Sequence, residues 1–172
     1  LWQDRVPADL RERAPRVVSE EHGDFWYVEG NRTISFLGIQ AGDRFIKRAD
    51  ELRAAARLGE VRSAVFDPAA YLAENEQDGI WGCVLFPSQG MIVFGAARHD
   101  VFSASCRAYN DWLAEFCSHD TSRLKGVAMI NLDDPAEGAA ELERCRSIGL
   151  AGATITVAPP EAVPFTDPMY DV

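Results

Sequence analysis

The chain has 172 residues, of which 47% are hydrophobic and 26% charged, a balance that suits one globular domain and excludes a disordered or fibrous class. Its net charge of −10 and pI of about 4.7 argue against nucleic acid or an anionic membrane as a partner. No stretch approaches the length of a membrane-spanning helix and no secretory leader opens the chain, so a cytoplasmic protein is expected.

Residues 1–22 are polar and punctuated by Pro7 and Pro15, with room for one helical turn around Asp9 to Arg13. Phe25-Trp26-Tyr27-Val28 and Thr33-Ile34-Ser35-Phe36, joined by Glu29-Gly30-Asn31-Arg32, predict a β-hairpin. Phe45, Ala49, Leu52 and Ala56 then fall three or four apart, the stripe of an amphipathic helix. Basic residues between Arg44 and Arg62 alternate with Asp43, Asp50, Glu51 and Glu60, which reads as a solvated helix face. Residues 23–62 are therefore expected to be an insertion, a hairpin plus a helix, outside a regular framework that begins at Asp67.

From there the pattern alternates. Asp67-Pro68 is an N-cap followed by proline at the first helical position, and Gly79 is placed to end that helix. Ile80-Trp81-Gly82-Cys83-Val84-Leu85-Phe86-Pro87 is a continuous apolar run, as expected of a parallel strand buried on both faces. Asp100 can cap a long helix whose core stripe would be Phe102, Cys106, Tyr109, Leu113 and Phe116. A second run spans residues 126–132. Asp134-Pro135-Ala136-Glu137 then resembles a capping box, opening a helix with Ala139, Leu142 and Cys145 inward and Gly149 at its end. The third run, residues 152–157, stops at Pro159-Pro160. Strand, helix, strand, helix, strand is the signature of parallel β/α architecture.

Three parallel strands alone would leave apolar edges uncovered. The choice lies between a small open sheet and an arc of a closed barrel. The ends favour the arc: the chain starts at Leu1 without Met and stops at Val172 in what reads as the start of another element.

The segment Tyr71-Leu72-Ala73-Glu74-Asn75-Glu76-Gln77-Asp78-Gly79-Ile80, followed by Val84-Leu85-Phe86-Pro87, resembles the second β/α segment of the amidohydrolase-related family, which includes the aminocarboxymuconate-semialdehyde decarboxylase-like enzymes. Residues 106–116 are similar to its next helix, Arg123-Leu124-Lys125-Gly126-Val127-Ala128 to its third strand, and Gly149-Leu150-Ala151-Gly152 to its fourth. Asn75 departs from the pattern, standing where the family usually carries an apolar residue. The resemblance implies an α/β chain forming an arc of a (β/α)8 TIM barrel. It implies a parent enzyme that uses one divalent metal, commonly zinc, on a small-molecule substrate, and that often forms a homodimer. The reaction would be hydrolysis or, alternatively, non-oxidative decarboxylation. By that resemblance every family metal ligand lies off this sequence, on the first, fifth, sixth and eighth strands, so the chain alone is expected to bind no catalytic metal. A non-catalytic α/β binding domain is the reading from another class.

No catalytic motif appears within the chain. His22, His99 and His119 share no ligand spacing, and Cys83, Cys106, Cys117 and Cys145 form no Cys-x-x-Cys pair and are expected as free thiols in a reducing compartment. Asp133-Asp134 stands where a helix cap is needed. Asn110 borders a core stripe and should make a structural hydrogen bond, and Asp111 lies away from any strand end. Barrel enzymes build their sites at strand C-termini, which here carry Phe86, Ser88, Asn131 and Thr156. Phe86 offers an apolar wall and Ser88 and Asn131 offer hydrogen bonds, with loop capping and rim packing competing for Asn131, whereas Thr156 is expected to pack.

Overall fold

The computed structural model describes residues 1–35, 48–51, 55–156 and 163–171. They form two compact units, Trp2–Trp81 and Gly82–Val172 together with Leu1.

The first unit holds an antiparallel sheet in the order β1 (Arg16–Glu20), β2 (Gly23–Val28), β3 (Asn31–Ser35). The hairpin is tighter than expected. Val28 pairs with Asn31, so the turn is Glu29-Gly30 alone, both at positive φ, the geometry that matches strand twist. Strand β1 was not foreseen, because Arg16-Val17-Val18-Ser19-Glu20 follows a proline and alternates weakly. Ahead of it, α1 (Trp2–Arg5) and a 3-10 turn at Ala8–Leu10 place Trp2, Val6, Leu10 and Ala14, four apart, in the core. Trp2 meets Trp26 edge to face at 5.7 Å. Of the helix expected from Phe45 to Ala56, half lies outside the described residues; Ala49–Glu51 form a 3-10 turn.

The first unit closes with α2 (Pro68–Gln77), whose ends are as the sequence implies. The Asp67 carboxylate accepts from the Ala69 and Ala70 N–H groups. At the other end Gly79, at φ +73°, lets its own N–H reach the Glu76 carbonyl and that of Ile80 reach Asn75, which satisfies the last carbonyls.

The second unit is a parallel sheet, β4 (Cys83–Leu85), β5 (Leu124–Met129) and β6 (Gly152–Thr154), with strands in sequence order and β5 in the middle. Helix α3 (His99–Ser118) follows β4 and α4 (Pro135–Ser147) follows β5. A Cβ on Gly126 would lie 2.7 Å from Leu113 of α3, and one on Gly138 of α4 would lie 3.3 Å from Ile130. Alternate strand residues share a face, so both helices cover the face of β5 that carries its even-numbered residues. The α3 stripe Phe102, Cys106, Tyr109, Leu113 and Phe116 is buried as expected, each large side chain worth about 2 kcal/mol.

Three expectations need correction. The β4 run is not buried on both faces: Trp81 is 70% and Phe86 64% exposed. Only three of its residues ladder, β4 pairs with β5 alone, and no described strand covers its other edge. In α4, Leu142 points outward and Glu141 takes the inward position. The cause is close approach, since a Cβ on Gly138 would fall 2.7 Å from the Asn131 carbonyl, which fixes the helix rotation with Pro135, Gly138 and Cys145 buried. Asp100 is not the cap of α3, which starts at His99; it pairs with Arg98 and accepts from the Val101 N–H at 2.8 Å.

Candidate functional site

In the parallel unit the C-terminal end of β5 meets the N-termini of α3 and α4, and polar side chains gather there. Asn131, only 6% exposed, stands two residues beyond the end of the strand. Its Oδ1 accepts from the Asp133 N–H at 2.9 Å, closing a local turn. Its Nδ2 donates to Ser103 Oγ at 3.0 Å and lies 3.3 Å from His99 Nδ1. His99 Nε2 is 2.8 Å from Glu137 Oε2, and Asp133 Oδ2 stands 3.7 Å from Nδ1. Asp134 caps α4 through the Ala136 and Glu137 N–H groups. The expected capping box is thus half realised: Asp134 caps, while the Glu137 carboxylate reaches His99.

The charges follow from these contacts. The hydrogen bond to Glu137 raises the His99 pKa, burial works against it, and the charges of Glu137, Asp133 and Asp134 add to the rise. Asp100 is held down to about 2 by the Arg98 guanidinium.

Asn110, fully buried one layer below, makes the structural bonds expected of it. Its Oδ1 accepts from the Met129 N–H at 2.8 Å, and its Nδ2 donates to the Met129 carbonyl at 3.0 Å and to Glu141 Oε1 at 2.9 Å. One side chain thereby satisfies both backbone groups of a β5 residue that β4 is too short to reach. Arg144 joins Glu141 at 2.7 Å to Asp111 at 2.6 Å. This is a bridge between helices; Asp111 takes part in it.

The four rim residues are unequally placed. Met129 pairs with Thr154, so Asn131 and Thr156 stand level by register. Leu85 pairs with Gly126, which sets Phe86 level with Val127, roughly 13 Å down the strand direction from Asn131. Phe86 is exposed and Thr156 half-buried. Ser88 is exposed at φ +39° and opens the 3-10 run Ser88–Gly95; a left-handed serine is uncommon and strained. Asn131 spends its polar atoms on the internal bonds above.

His22 and His119 are exposed, the first in the turn after β1 and the second at the C-terminal end of α3. The cysteines are free thiols. Burial pushes the Cys106 and Cys117 thiols up and that of Cys145 to about 12, so none of these three is a thiolate nucleophile at neutral pH. Among the described residues no group of three or more His, Cys, Asp or Glu could hold a metal ion. Sequence reading missed the meeting of His99 with Glu137 and Asn131. The usable signal was topological: consecutive β/α units start their helices at the same end of a parallel sheet.

A family model described as amidohydrolase matches residues 22–171. The chain belongs to the amidohydrolase family. A solved structure, an amidohydrolase from Mycobacterium avium subsp. paratuberculosis K-10, superposes with a TM-score of 0.65 at 15% identity, over 97% of this chain and 50% of that one. At that identity the likeness is one of fold, and this chain spans about half the length of that amidohydrolase. The α/β arrangement is consistent with a partial barrel. A search of curated proteins finds no match. No described helix is long and apolar enough to cross a membrane.

Proposed function

We propose that this chain is an arc of the (β/α)8 barrel of a metal-dependent hydrolase that cleaves a C–N or C–O bond in a small molecule. The observation that supports this reading is the amidohydrolase family match across residues 22–171, laid over parallel strands in sequence order. The strand C-termini would supply the rim of the substrate pocket. Phe86 is its apolar wall, Ser88 is a hydrogen-bonding group, Thr156 packs at the rim, and Asn131 holds the end of β5 in place. A divalent metal, zinc by resemblance, would activate water in such an enzyme. The described residues do not fit it as ligands, so this chain's part is binding and positioning. A homodimer is the assembly we propose for the parent.

The test is an activity screen of the native polypeptide that carries this chain, with zinc added, against amides, lactones and esters and, separately, aromatic carboxylic acids. Hydrolysis that Phe86→Ala weakens about tenfold in kcat/KM, chiefly through KM, would support the reading; a factor of ten corresponds to about 1.4 kcal/mol. Release of carbon dioxide would select the carboxy-lyase alternative, and turnover of neither class would overturn the proposal.

A further inference from the structure

The cluster at the end of β5 contains a conflict that depends on protonation. The amide of Asn131 is oriented unambiguously, because its Oδ1 takes the Asp133 N–H at 2.9 Å, which leaves Nδ2, a donor only, facing His99 Nδ1 at 3.3 Å. Neutral His99 must therefore accept at Nδ1 and carry its proton on Nε2, where the acceptor-only Glu137 carboxylate waits at 2.8 Å. Both ring nitrogens are then matched. A second proton can add only at Nδ1, and it would confront the Asn131 amide hydrogens donor to donor. An alternative acceptor is already in place: Asp133 Oδ2, 3.7 Å from the same nitrogen.

We infer that His99 is a protonation-controlled latch at the N-terminus of α3, whose Nδ1 accepts from Asn131 when neutral and donates to Asp133 when charged, while Ser103 keeps its own bond to Asn131. The proton comes from solvent to the Nδ1 lone pair, no other bond is made or broken covalently, and the hydrogen bond from Asn131 is exchanged for one to Asp133. His99 is partly exposed, so the proton has access. The groups that face it agree in sign. From α4 comes Glu137, and from the loop before it Asp133 and Asp134. On its own helix, Asp100 is engaged by Arg98, and the packed turn at 88–95 carries no ionisable side chain. The N-terminal helix dipole opposes the charge, but the carboxylates prevail and raise the His99 pKa. The consequence for catalysis rests on the rim reading above: Asn131 and Asp133 lie on the loop that leaves the middle strand, so the rim would differ between the two protonation states. The latch itself does not depend on that reading.

The experiment is a nitrogen-15 NMR titration of the histidine ring and of the asparagine side-chain amides, on the wild-type chain and on Glu137→Gln and Asp133→Asn. The expected result has three parts. At high pH His99 is the Nε2–H tautomer. The Asn131 amide signals move with the same midpoint as His99. In Glu137→Gln both midpoints shift down together, and Asp133→Asn shifts the His99 midpoint down as well. An Nδ1–H tautomer at high pH, or Asn131 signals that stay flat while His99 titrates, would overturn the latch. Because the readout is spectroscopic, a failed activity screen leaves this result unaffected.

Discussion

Both units of this protein use a buried polar side chain to satisfy backbone groups that lie outside the strand ladders, but they choose different chemistry. In the antiparallel unit the group is a carboxylate. Asp24 takes the Leu58 N–H at 2.7 Å, the Ser19 hydroxyl at 2.8 Å and Arg57 at 3.0 Å, tying the hairpin to a segment 34 residues away. In the parallel unit the group is the neutral Asn110, which takes both backbone groups of Met129 and leaves the charge to Glu141 beside it. Burial pushes the Asp24 carboxyl up, but Leu58, Ser19 and Arg57 hold it below its ordinary value. The same balance, with Arg144 and Asn110 as the partners, lowers Glu141. A charged partner ties its unit's stability to pH; a neutral one leaves that dependence to a flanking ion pair. An amide can also donate and accept at once, which is what an isolated strand residue requires.

The sharpest way to break this comparison is Asn110→Leu. It leaves the Met129 N–H and carbonyl buried without partners and removes a donor from Glu141, so a loss of about 3–4 kcal/mol is expected in urea denaturation. A loss below about 1 kcal/mol would mean that water or β4 takes over the pairing. Asp24→Asn keeps the shape but not the charge and should cost about 2 kcal/mol at neutral pH. It also carries a pH signature. A carboxylate whose folded pKa lies below its unfolded value of about 4 contributes stability above that value and loses it as pH falls through the folded pKa. The wild type should therefore weaken in acid, and Asp24→Asn should flatten part of that fall, as measured by thermal unfolding between about pH 5 and pH 2.

Smaller effects compare the units on equal terms. Asp67 and Asp134 each cap a helix through two N–H groups and precede a proline, so alanine at either should cost about 1 kcal/mol. A clear inequality would show that one helix is held mainly by packing. The smallest effect has the opposite pH sense. His99 has a raised folded pKa, so its contribution is fully present below about 6.5 and is lost as pH rises through the folded value. Loss of stability in that window, abolished by His99→Gln, is the measurement; the ring's partial exposure keeps the effect small.

The sequence by itself determined whatever depends on neighbours a few residues apart. Asp67-Pro68 with Gly79 and Asp134-Pro135 with Gly149 fix two helices completely, because the cap reaches two or three residues forward and the closing turn reaches five back. The stripe from Phe102 to Phe116 and the order of apolar runs carried the parallel β/α reading, and the motifs along it carried the family. Tertiary structure alone decided the rest. It recruited Arg16–Glu20 as a strand because the hairpin beside it offers a free edge to pair with. It turned Glu141 inward and Leu142 outward because Gly138 lets α4 approach the end of β5. It left the β4 run exposed because no described strand covers its other edge. It also joined Asn110 to Met129 across 19 residues and His99 to Glu137 across 38. Periodicity records which face of an element is apolar, but a polar residue's partner is set by where another element happens to end, and that information exists only once the chain has folded.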